Sequence, residues 1–167
     1  GVRAALEYTK SGQIGVIGTA GTIRSSAYEK ALQAVQPDLQ IIARPCPLFV
    51  LLVENDLVET PEAEKVAIEY LAPFKEAAID TLILGCTHYP LMADLIQKTV
   101  GTEVKLVNSA EEIARDVKAI LTEQQLHNPL PCSDPGYRFF VSGNPHSFEE
   151  IAAKMLHRRI KAYQVIL

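Results

Sequence analysis

One short run of the sequence carries residues that can transfer a proton. Cys86, Thr87 and His88 follow an apolar segment, Thr81 to Leu84, and precede Pro90. A thiol at the amino end of a helix feels the positive end of the helix dipole, and a neighbouring imidazole also stabilises the thiolate. An isolated free cysteine more often packs as a small buried hydrophobe. The presence of Thr87 and His88 at a strand end favours a reactive thiol instead.

A second candidate site is the loop Gly18-Thr19-Ala20-Gly21-Thr22. Its glycines let a ligand approach the backbone closely, and hydroxyls with free amides at a helix N-terminus suit an anion such as a carboxylate. The same residues also fit a plain strand-to-helix turn capped by threonine, so the loop alone is a weak signal. It lacks the lysine of a Walker phosphate loop and the spacing of a dinucleotide-binding GxGxxG motif.

The other candidate groups have weaker support. A lone His88 is more often a satisfied polar residue of the core than a catalyst. Glu54, at the end of the apolar run Leu51 to Val53, is more often a solvated helix carboxylate. Cys46 lies between two prolines and Cys132 in a proline-rich loop, and neither has an acid-base partner nearby in sequence. We interpret both cysteines as structural or incidental, since the cysteines form no CxxC pair and no zinc spacing.

The elements that must hold these residues have the pattern of an α/β protein. Short apolar, β-branched segments alternate with longer segments of helical period, which predicts βαβ units and a parallel sheet flanked by helices. Strands are predicted at Gln13 to Ile17, Leu39 to Ala43, Asp80 to Leu84 and Val104 to Val107. Ligands bind beyond the carboxyl ends of such strands, which is where Cys86 and the Gly18 loop fall.

Helix ends are predicted from capping residues. Thr60 and Pro61 are typical of an N-cap and a first helical position, for a helix that runs to about Ala78. Pro90 begins another helix, which Gly101 closes as a left-handed cap. Two segments match a capping box: Ser109 to Glu112 and Ser147 to Glu150.

Length and composition indicate one domain, or one and a fraction. The 167 residues include 48% hydrophobic and 22% charged residues, which argues against disorder and against a membrane protein. The net charge of -4 gives no electrostatic reason to expect a nucleic-acid or membrane partner.

We predict a four-strand lobe in residues 1–108 and an appendage in residues 109–167, with strands at Tyr137 to Ser142 and Ala162 to Leu167. Sparse, odd-numbered cysteines are typical of the cytoplasm.

Several segments together resemble the aspartate/glutamate racemase family. The most specific is Leu84-Gly85-Cys86-Thr87-His88-Tyr89-Pro90-Leu91. Supporting segments are Ile17 to Ile23, Cys46 to Val50, Leu52 to Glu54, Asn108 to Glu112 and Phe140 to Pro145. The resemblance covers essentially the whole chain and is closer to the enzymes that act on glutamate than to those that act on aspartate. The sequence departs from the family at Leu51, Asn55, Asp56 and Asn108, and Asn108 is still expected to cap a helix.

The resemblance implies interconversion of L- and D-glutamate without a cofactor, by two cysteines on opposite faces of the α-carbon. It implies that Cys86 is one of these thiols, that His88 assists it as a proton relay, and that Glu54 orients His88. It also implies that the substrate's carboxylate and amino groups are held by Thr87, His88, Thr19 and Thr22. The corresponding expectation for the full-length enzyme is a cytoplasmic homodimer that supplies D-glutamate for peptidoglycan.

The family has two pseudo-symmetric lobes, and its first catalytic cysteine belongs to an amino-terminal lobe without a counterpart here. We therefore expect residues 1–108 to be the second lobe and residues 109–167 to return to the absent lobe. Neither Cys46 nor Cys132 lies in a motif that could replace the absent thiol, so negligible turnover is expected of the chain alone. Two alternatives stay open: a non-catalytic racemase-like binding module, and another two-cysteine racemase such as aspartate racemase.

Overall fold

The computed structural model describes residues 1–128 and 136–166. Contacts divide the chain into a first unit, Gly1–Gln125, and a second unit from Leu126 onward. The helix Ser109–Glu123 groups with the first unit because it contacts a strand of that unit. The predicted assignment of residues 1–108 and 109–167 to different lobes of a longer enzyme stays a prediction. Cys132 and most of the proline-rich loop lie outside the described residues. Within the described ranges, no helix is long and apolar enough to cross a membrane.

The first unit alternates helices and strands. Its elements are α1 (Val2–Tyr8), β1 (Gln13–Gly18), α2 (Ala20–Ser25), α3 (Ala27–Val35), β2 (Gln40–Pro45), α4 (Pro47–Glu54), α5 (Pro61–Glu76), β3 (Thr81–Gly85), a 3₁₀ turn (Tyr89–Met92), α6 (Ala93–Val100), β4 (Lys105–Asn108) and α7 (Ser109–Glu123). Each of the four predicted strands is present, displaced or extended by one or two residues. The predicted α/β fold with a parallel sheet is confirmed.

The four strands form one parallel sheet in the order β2-β1-β3-β4. The chain moves from β1 to β2 on one side, and then crosses to β3 on the other side of β1. The topological switch point of the sheet therefore lies between β1 and β3, where open α/β sheets bind their ligands. Gly18 of β1 pairs with Gly85 of β3 at this point, so the loops that follow the two strands begin side by side.

Apolar clusters cover both faces of this sheet, as buried parallel strands require. On one face the strands pack against α4, α5 and α6 through fully buried residues that include Ile17, Leu82, Phe49, Phe74 and Tyr89. The other face packs against α1 and α3 through residues that include Ile14, Val16, Ile83, Ala5 and Leu32. The carboxyl ends of the strands are thus held by a rigid layer on each side.

The N-caps of α5 and α7 can be compared with the caps predicted from the sequence. Thr60 caps α5 as predicted, and its hydroxyl accepts a hydrogen bond from the N–H of Ala63 at 3.3 Å. Asn108, rather than Ser109, caps α7, and its Oδ1 accepts a hydrogen bond from the N–H of Ala110 at 3.1 Å. The cap predicted at Asn108 is thus confirmed, whereas the capping box predicted from Ser109 begins one residue earlier.

The second unit contains β5 (Phe139–Val141), α8 (Pro145–Leu156) and β6 (Ala162–Gln164). Strands β5 and β6 pair in parallel with each other. Both are shorter than the predicted strands 137–142 and 162–167, and residue 167 lies outside the described part. The cross-strand aromatic pair Phe140 and Tyr163 stays 60% and 49% exposed.

Two other predictions about helix ends were wrong. Asn144 caps α8, so the predicted capping box at Ser147 lies inside the helix. Gly101 does end α6 with a positive φ of 103°, but its ψ of 153° is not that of a left-handed helical cap. The helix before it begins at Tyr89 as a 3₁₀ turn, one residue ahead of the predicted start.

Asp80 lies at the amino-terminal ends of the strands, opposite the end that carries Cys86, and stabilises that edge of the sheet by hydrogen bonds. Its carboxylate accepts hydrogen bonds from the N–H groups of Lys10 and Ser11 at 2.7 and 2.6 Å, and from the hydroxyls of Thr9 and Ser11, both at 2.8 Å. Partial burial alone would raise the pKa of Asp80, but the hydrogen bonds outweigh it and hold this pKa well below its usual range. The carboxylate therefore ties the turn before β1 to the start of β3.

Replacing this carboxylate should destabilise the fold in a pH-dependent way. Asp80→Asn should lower the free energy of unfolding by about 1–3 kcal/mol at pH 7, because the charged acceptor is lost. Since the folded pKa is depressed, the contribution of Asp80 is present above the unfolded pKa of about 3.9 and is lost as the pH falls below it. Urea unfolding from pH 7 to pH 2.5 measures this, with exposed Asp38→Asn as control. A difference from the native chain that does not shrink below pH 4 would contradict the account.

Candidate functional site

Two glycines allow the candidate loops to approach each other at the switch point. A Cβ atom on Gly85 would lie 2.7 Å from the carbonyl oxygen of Ile17 and 3.6 Å from the side chain of Thr22. A Cβ atom on Gly18 would lie 3.0 Å from the same Thr22 side chain. A larger residue at Gly85 would therefore press β3 away from the backbone of β1, and a larger residue at Gly18 would displace the Thr22 side chain of its own loop.

Cys86, His88 and Glu54 form a continuous polar chain beyond β3. The Sγ atom of Cys86 lies 3.9 Å from Nδ1 of His88, which is long for a hydrogen bond to sulfur. Nε2 of the same ring lies 3.1 Å from Oε1 of Glu54. Glu54 is the last residue of α4, so the loop after β3 and the end of α4 supply the two sides of this chain.

The Glu54 carboxylate determines the tautomer of His88. In the neutral ring, the nitrogen nearest the Cys86 thiol, Nδ1, carries the lone pair. An ionised carboxylate only accepts hydrogen bonds, so Nε2–H must donate to Glu54. In the neutral imidazole, Nδ1 is then the acceptor and can take the proton of the Cys86 thiol. In the protonated imidazole, Nδ1–H can donate to the thiolate. The same arrangement of nucleophile, base and orienting group activates thiols and hydroxyls in other enzymes.

The ion pair between His88 and Glu54 contributes little to folding. The two side chains are 28% and 48% exposed, and pairs so accessible to solvent are worth about 0.2–1 kcal/mol. Its physical consequence is orientation of the imidazole rather than stability. Only the family resemblance predicted that Glu54 lies beside His88. From its position in the sequence alone, Glu54 was better interpreted as a solvated carboxylate.

Thr19 and Thr22 in the loop after β1, and Thr87 in the loop after β3, form different side-chain contacts. The Thr19 hydroxyl caps α2, since it accepts a hydrogen bond from the N–H of Thr22 at 3.2 Å, and it lies 3.0 Å from the Thr22 hydroxyl. The capping role considered for this loop is thus present. Thr87 is exposed, and its hydroxyl lies 3.5 Å from Nδ1 of His88, where it shares that nitrogen with the thiol of Cys86.

Cys46 has the opposite environment to Cys86. Its side chain is fully buried in the core, and its thiol points to the carbonyl of Arg44 at 3.8 Å. Burial raises the pKa of Cys46 to about 12, so this thiol stays protonated and inaccessible near neutral pH. The structure agrees with the interpretation of Cys46 as a structural residue.

Tyr89 is a residue of this region that sequence reasoning did not single out. It is fully buried, and its hydroxyl donates a hydrogen bond to the carbonyl of Cys46 at 2.9 Å. The available signal was an aromatic residue with a polar hydroxyl directly after Cys86, Thr87 and His88. A buried tyrosine hydroxyl needs a partner, and here that partner belongs to another loop.

The sequence matches the Asp/Glu/hydantoin racemase family over residues 1–117. The chain belongs to this family. A glutamate racemase of Geobacter metallireducens is 46% identical over all of this chain, and one of Streptococcus agalactiae serotype III is 38% identical over all of it. The chain spans 62% and 63% of the lengths of these two relatives.

Solved structures of other racemases share the fold. A glutamate racemase isoform from Bacillus anthracis superposes with a TM-score of 0.90 at 42% identity, over 99% of this chain and 62% of that one. A glutamate racemase from Francisella tularensis, solved in complex with D-glutamate, superposes with a TM-score of 0.85 at 32% identity, over 99% of this chain and 62% of that one. The resemblance that the motifs suggested is therefore confirmed at the level of family and fold.

The close approach of the two loops in this racemase fold can be tested at Gly85. Gly85→Ala should lower the free energy of unfolding by about 1–3 kcal/mol, because the new Cβ atom meets backbone that cannot rotate away. Gly21→Ala is a matched control: its Cβ atom would have its nearest neighbour at 3.8 Å, so the change should be neutral or slightly stabilising. Urea denaturation gives both values, and equal stabilities of the two variants would contradict the packing described here.

Proposed function

We propose that this chain forms one half of the active site of a glutamate racemase, with Cys86 as the thiol of that half. The observation that supports this most directly is the chain of contacts from Cys86 through His88 to Glu54. It lies at the switch point of a sheet whose relatives are glutamate racemases. The family relation alone supports the substrate class, whereas the polar chain supports the chemistry of proton transfer.

In the proposed reaction, the thiolate of Cys86 removes the α-proton from one enantiomer of glutamate. Nδ1 of His88 first takes the thiol proton, and Glu54 stabilises the imidazolium that forms. The electron pair of the broken C–H bond moves into the substrate's α-carboxylate, which gains enolate character. In the reverse direction the thiol of Cys86 delivers a proton to the same face, and the His88 imidazolium then returns its Nδ1 proton to the thiolate.

The developing enolate needs donors aimed at its oxygens, because the α-proton of an amino acid is a very weak acid. We assign this task to the hydroxyls of Thr19, Thr22 and Thr87, together with the imidazole of His88. Thr19 and Thr22 follow β1, and Thr87 and His88 follow the neighbouring β3. The two loops can therefore hold the carboxylate and amino groups from one side, while Cys86 addresses the α-carbon.

A second thiol must act on the opposite face of the α-carbon. Among the described residues Cys46 is the other cysteine, and its burial and its pKa of about 12 exclude it from that task. We propose that the second thiol comes from the part of the full-length protein that this chain does not include. The full-length enzyme is proposed to work in the cytoplasm as a homodimer without a cofactor, and to supply D-glutamate for peptidoglycan.

Exchange of the α-proton tests the role of Cys86. The full-length protein should exchange the α-proton of glutamate in D2O with inversion, followed by proton NMR and circular dichroism. Cys86→Ala should lower kcat/KM about 1,000-fold or more, because the acid-base group on one face is lost. Cys132→Ala, which removes a thiol with no assigned role, is the control. The chain of 167 residues alone should show negligible turnover.

Three results would lead to other conclusions. Unchanged inversion by the full-length Cys86→Ala variant would contradict the role of this thiol. Inversion by the chain alone, abolished by Cys86→Ala, would contradict the division into two halves. Faster exchange with aspartate than with glutamate would favour the aspartate racemase alternative, and glutamate binding by the full-length protein without exchange would favour a non-catalytic module.

We further propose that the second unit completes its sheet with strands from the remainder of the full-length protein. Its strands β5 and β6 have only three residues each, and isolated two-stranded sheets are at best marginally stable. The exposed pair Phe140 and Tyr163 gives this small sheet an uncovered aromatic surface. Both features suit a segment that packs against a further layer of structure.

Hydrogen exchange on the isolated chain tests this assignment. Amide groups of β5 and β6 should exchange at least about 100-fold faster than those of β1 and β3, because local opening of a two-stranded sheet costs little. Mass spectrometry of peptic fragments measures the rates. Equal protection in the two units would show that the second unit is stable without additional strands, contrary to the proposal.

A further inference from the structure

Helix α4 is attached to the Cys86 loop at both of its ends. At the carboxyl end, Glu54 accepts the hydrogen bond from His88 at 3.1 Å. At the amino end, the carbonyl of Cys46 accepts the hydrogen bond from the hydroxyl of Tyr89 at 2.9 Å. His88 and Tyr89 are consecutive residues, so two adjacent side chains of one loop reach the two ends of the same helix.

Tyr89 is also hydrogen-bonded to Cys86 through the backbone. The N–H of Tyr89 donates to the carbonyl of Cys86 at 3.2 Å, which closes the turn that contains His88. A shift of Tyr89 would therefore be transmitted directly to the residue that carries the thiol. The distance of 3.9 Å between Sγ and Nδ1 is already long, so a further small displacement would uncouple the thiol from His88.

The surroundings of Tyr89 keep it in one position. Its ring is fully buried and packs edge-on against Phe49, with ring centroids 5.5 Å apart at 87°. Burial, together with the nearby thiols of Cys46 and Cys86, raises the pKa of Tyr89 well above its usual range. The hydroxyl therefore remains protonated and available as a donor to the Cys46 carbonyl.

We propose that Tyr89 is a positioning residue for the reactive thiol: its hydroxyl, bonded to the Cys46 carbonyl, sets the spacing between Cys86 and His88. Tyr89 acts through His88 and the backbone turn and needs no contact with substrate. The consequence for turnover rests on the proposed racemase function, whereas the consequence for thiol reactivity does not. His88 lies 3.9 Å from the thiol and Tyr89 interacts with it electrostatically, while Thr87 and Glu54 contact the imidazole.

The first test measures the reactivity of Cys86 in the isolated chain. Alkylation by iodoacetamide is followed between pH 5 and pH 10 by mass spectrometry of the peptide that contains Cys86. Tyr89→Phe keeps the ring but removes the donor, and it should slow alkylation at pH 7 about three- to tenfold, because the thiolate is the reactive form and a displaced imidazole would stabilise it less. His88→Ala should also slow alkylation at pH 7.

Tyr70→Phe is the matched control, since the Tyr70 ring packs edge-on against the same Phe49 ring as Tyr89, with centroids 5.4 Å apart. It should leave the alkylation profile of Cys86 unchanged. A Tyr89→Phe profile identical to that of the native chain overturns the proposal. Appearance of rapid alkylation at buried Cys46 in Tyr89→Phe also overturns it, because the change would then reflect a loosened core.

The second test uses racemisation by the full-length protein. Tyr89→Phe should lower kcat about tenfold and leave KM within about twofold, as expected for a residue that orients the reacting group rather than binding substrate. A rise in KM with unchanged kcat overturns the positioning role. If the native full-length protein does not racemise glutamate, but Tyr89→Phe still shifts the alkylation profile, the racemase proposal fails and the positioning of Cys86 by Tyr89 stands.

Discussion

The close approach of β1 and β3 at Gly18 and Gly85 is the constraint on which the rest of the site depends. The two glycines are partners in the sheet, and neither has room for a Cβ atom without displacing a neighbour. Because these strands flank the switch point, the loops that follow them leave the sheet together. The loop with Thr19 and Thr22 and the loop with Cys86 can therefore face the same small ligand, although they lie far apart in the sequence.

The two described cysteines show how the surroundings determine the chemistry of one side-chain type. Cys46 follows β2 but turns into the apolar layer beneath α4, where burial keeps its thiol protonated. Cys86 follows β3 and remains partly accessible, beside an imidazole that a carboxylate orients. Helix α4 joins the two environments, because the carbonyl of its N-cap residue receives the hydroxyl of Tyr89 and its last residue receives the imidazole N–H of His88.

Local sequence patterns were sufficient to predict the sheet and the position of Cys86 directly after β3, but not the contacts between distant segments. Short apolar runs predicted all four strands of the first unit, since burial on both faces demands such residues. The capping box predicted from Ser109 begins at Asn108 instead, because asparagine and serine offer the same capping chemistry at adjacent positions. The bond between Tyr89 and Cys46 spans 43 positions, and the boundary after α7 depends on packing of that helix, so neither had a local signal.

Binding of glutamate at the switch point is the most direct test of the central claim, because it requires neither turnover nor the remainder of the protein. Isotope-labelled chain is titrated with L- and D-glutamate, and the backbone amides are followed by nitrogen-15 NMR. The account predicts concerted shifts at the amides of Thr19 to Thr22 and of Cys86 to His88. Shifts confined to other regions, or no shifts in these two loops at millimolar glutamate, would contradict it.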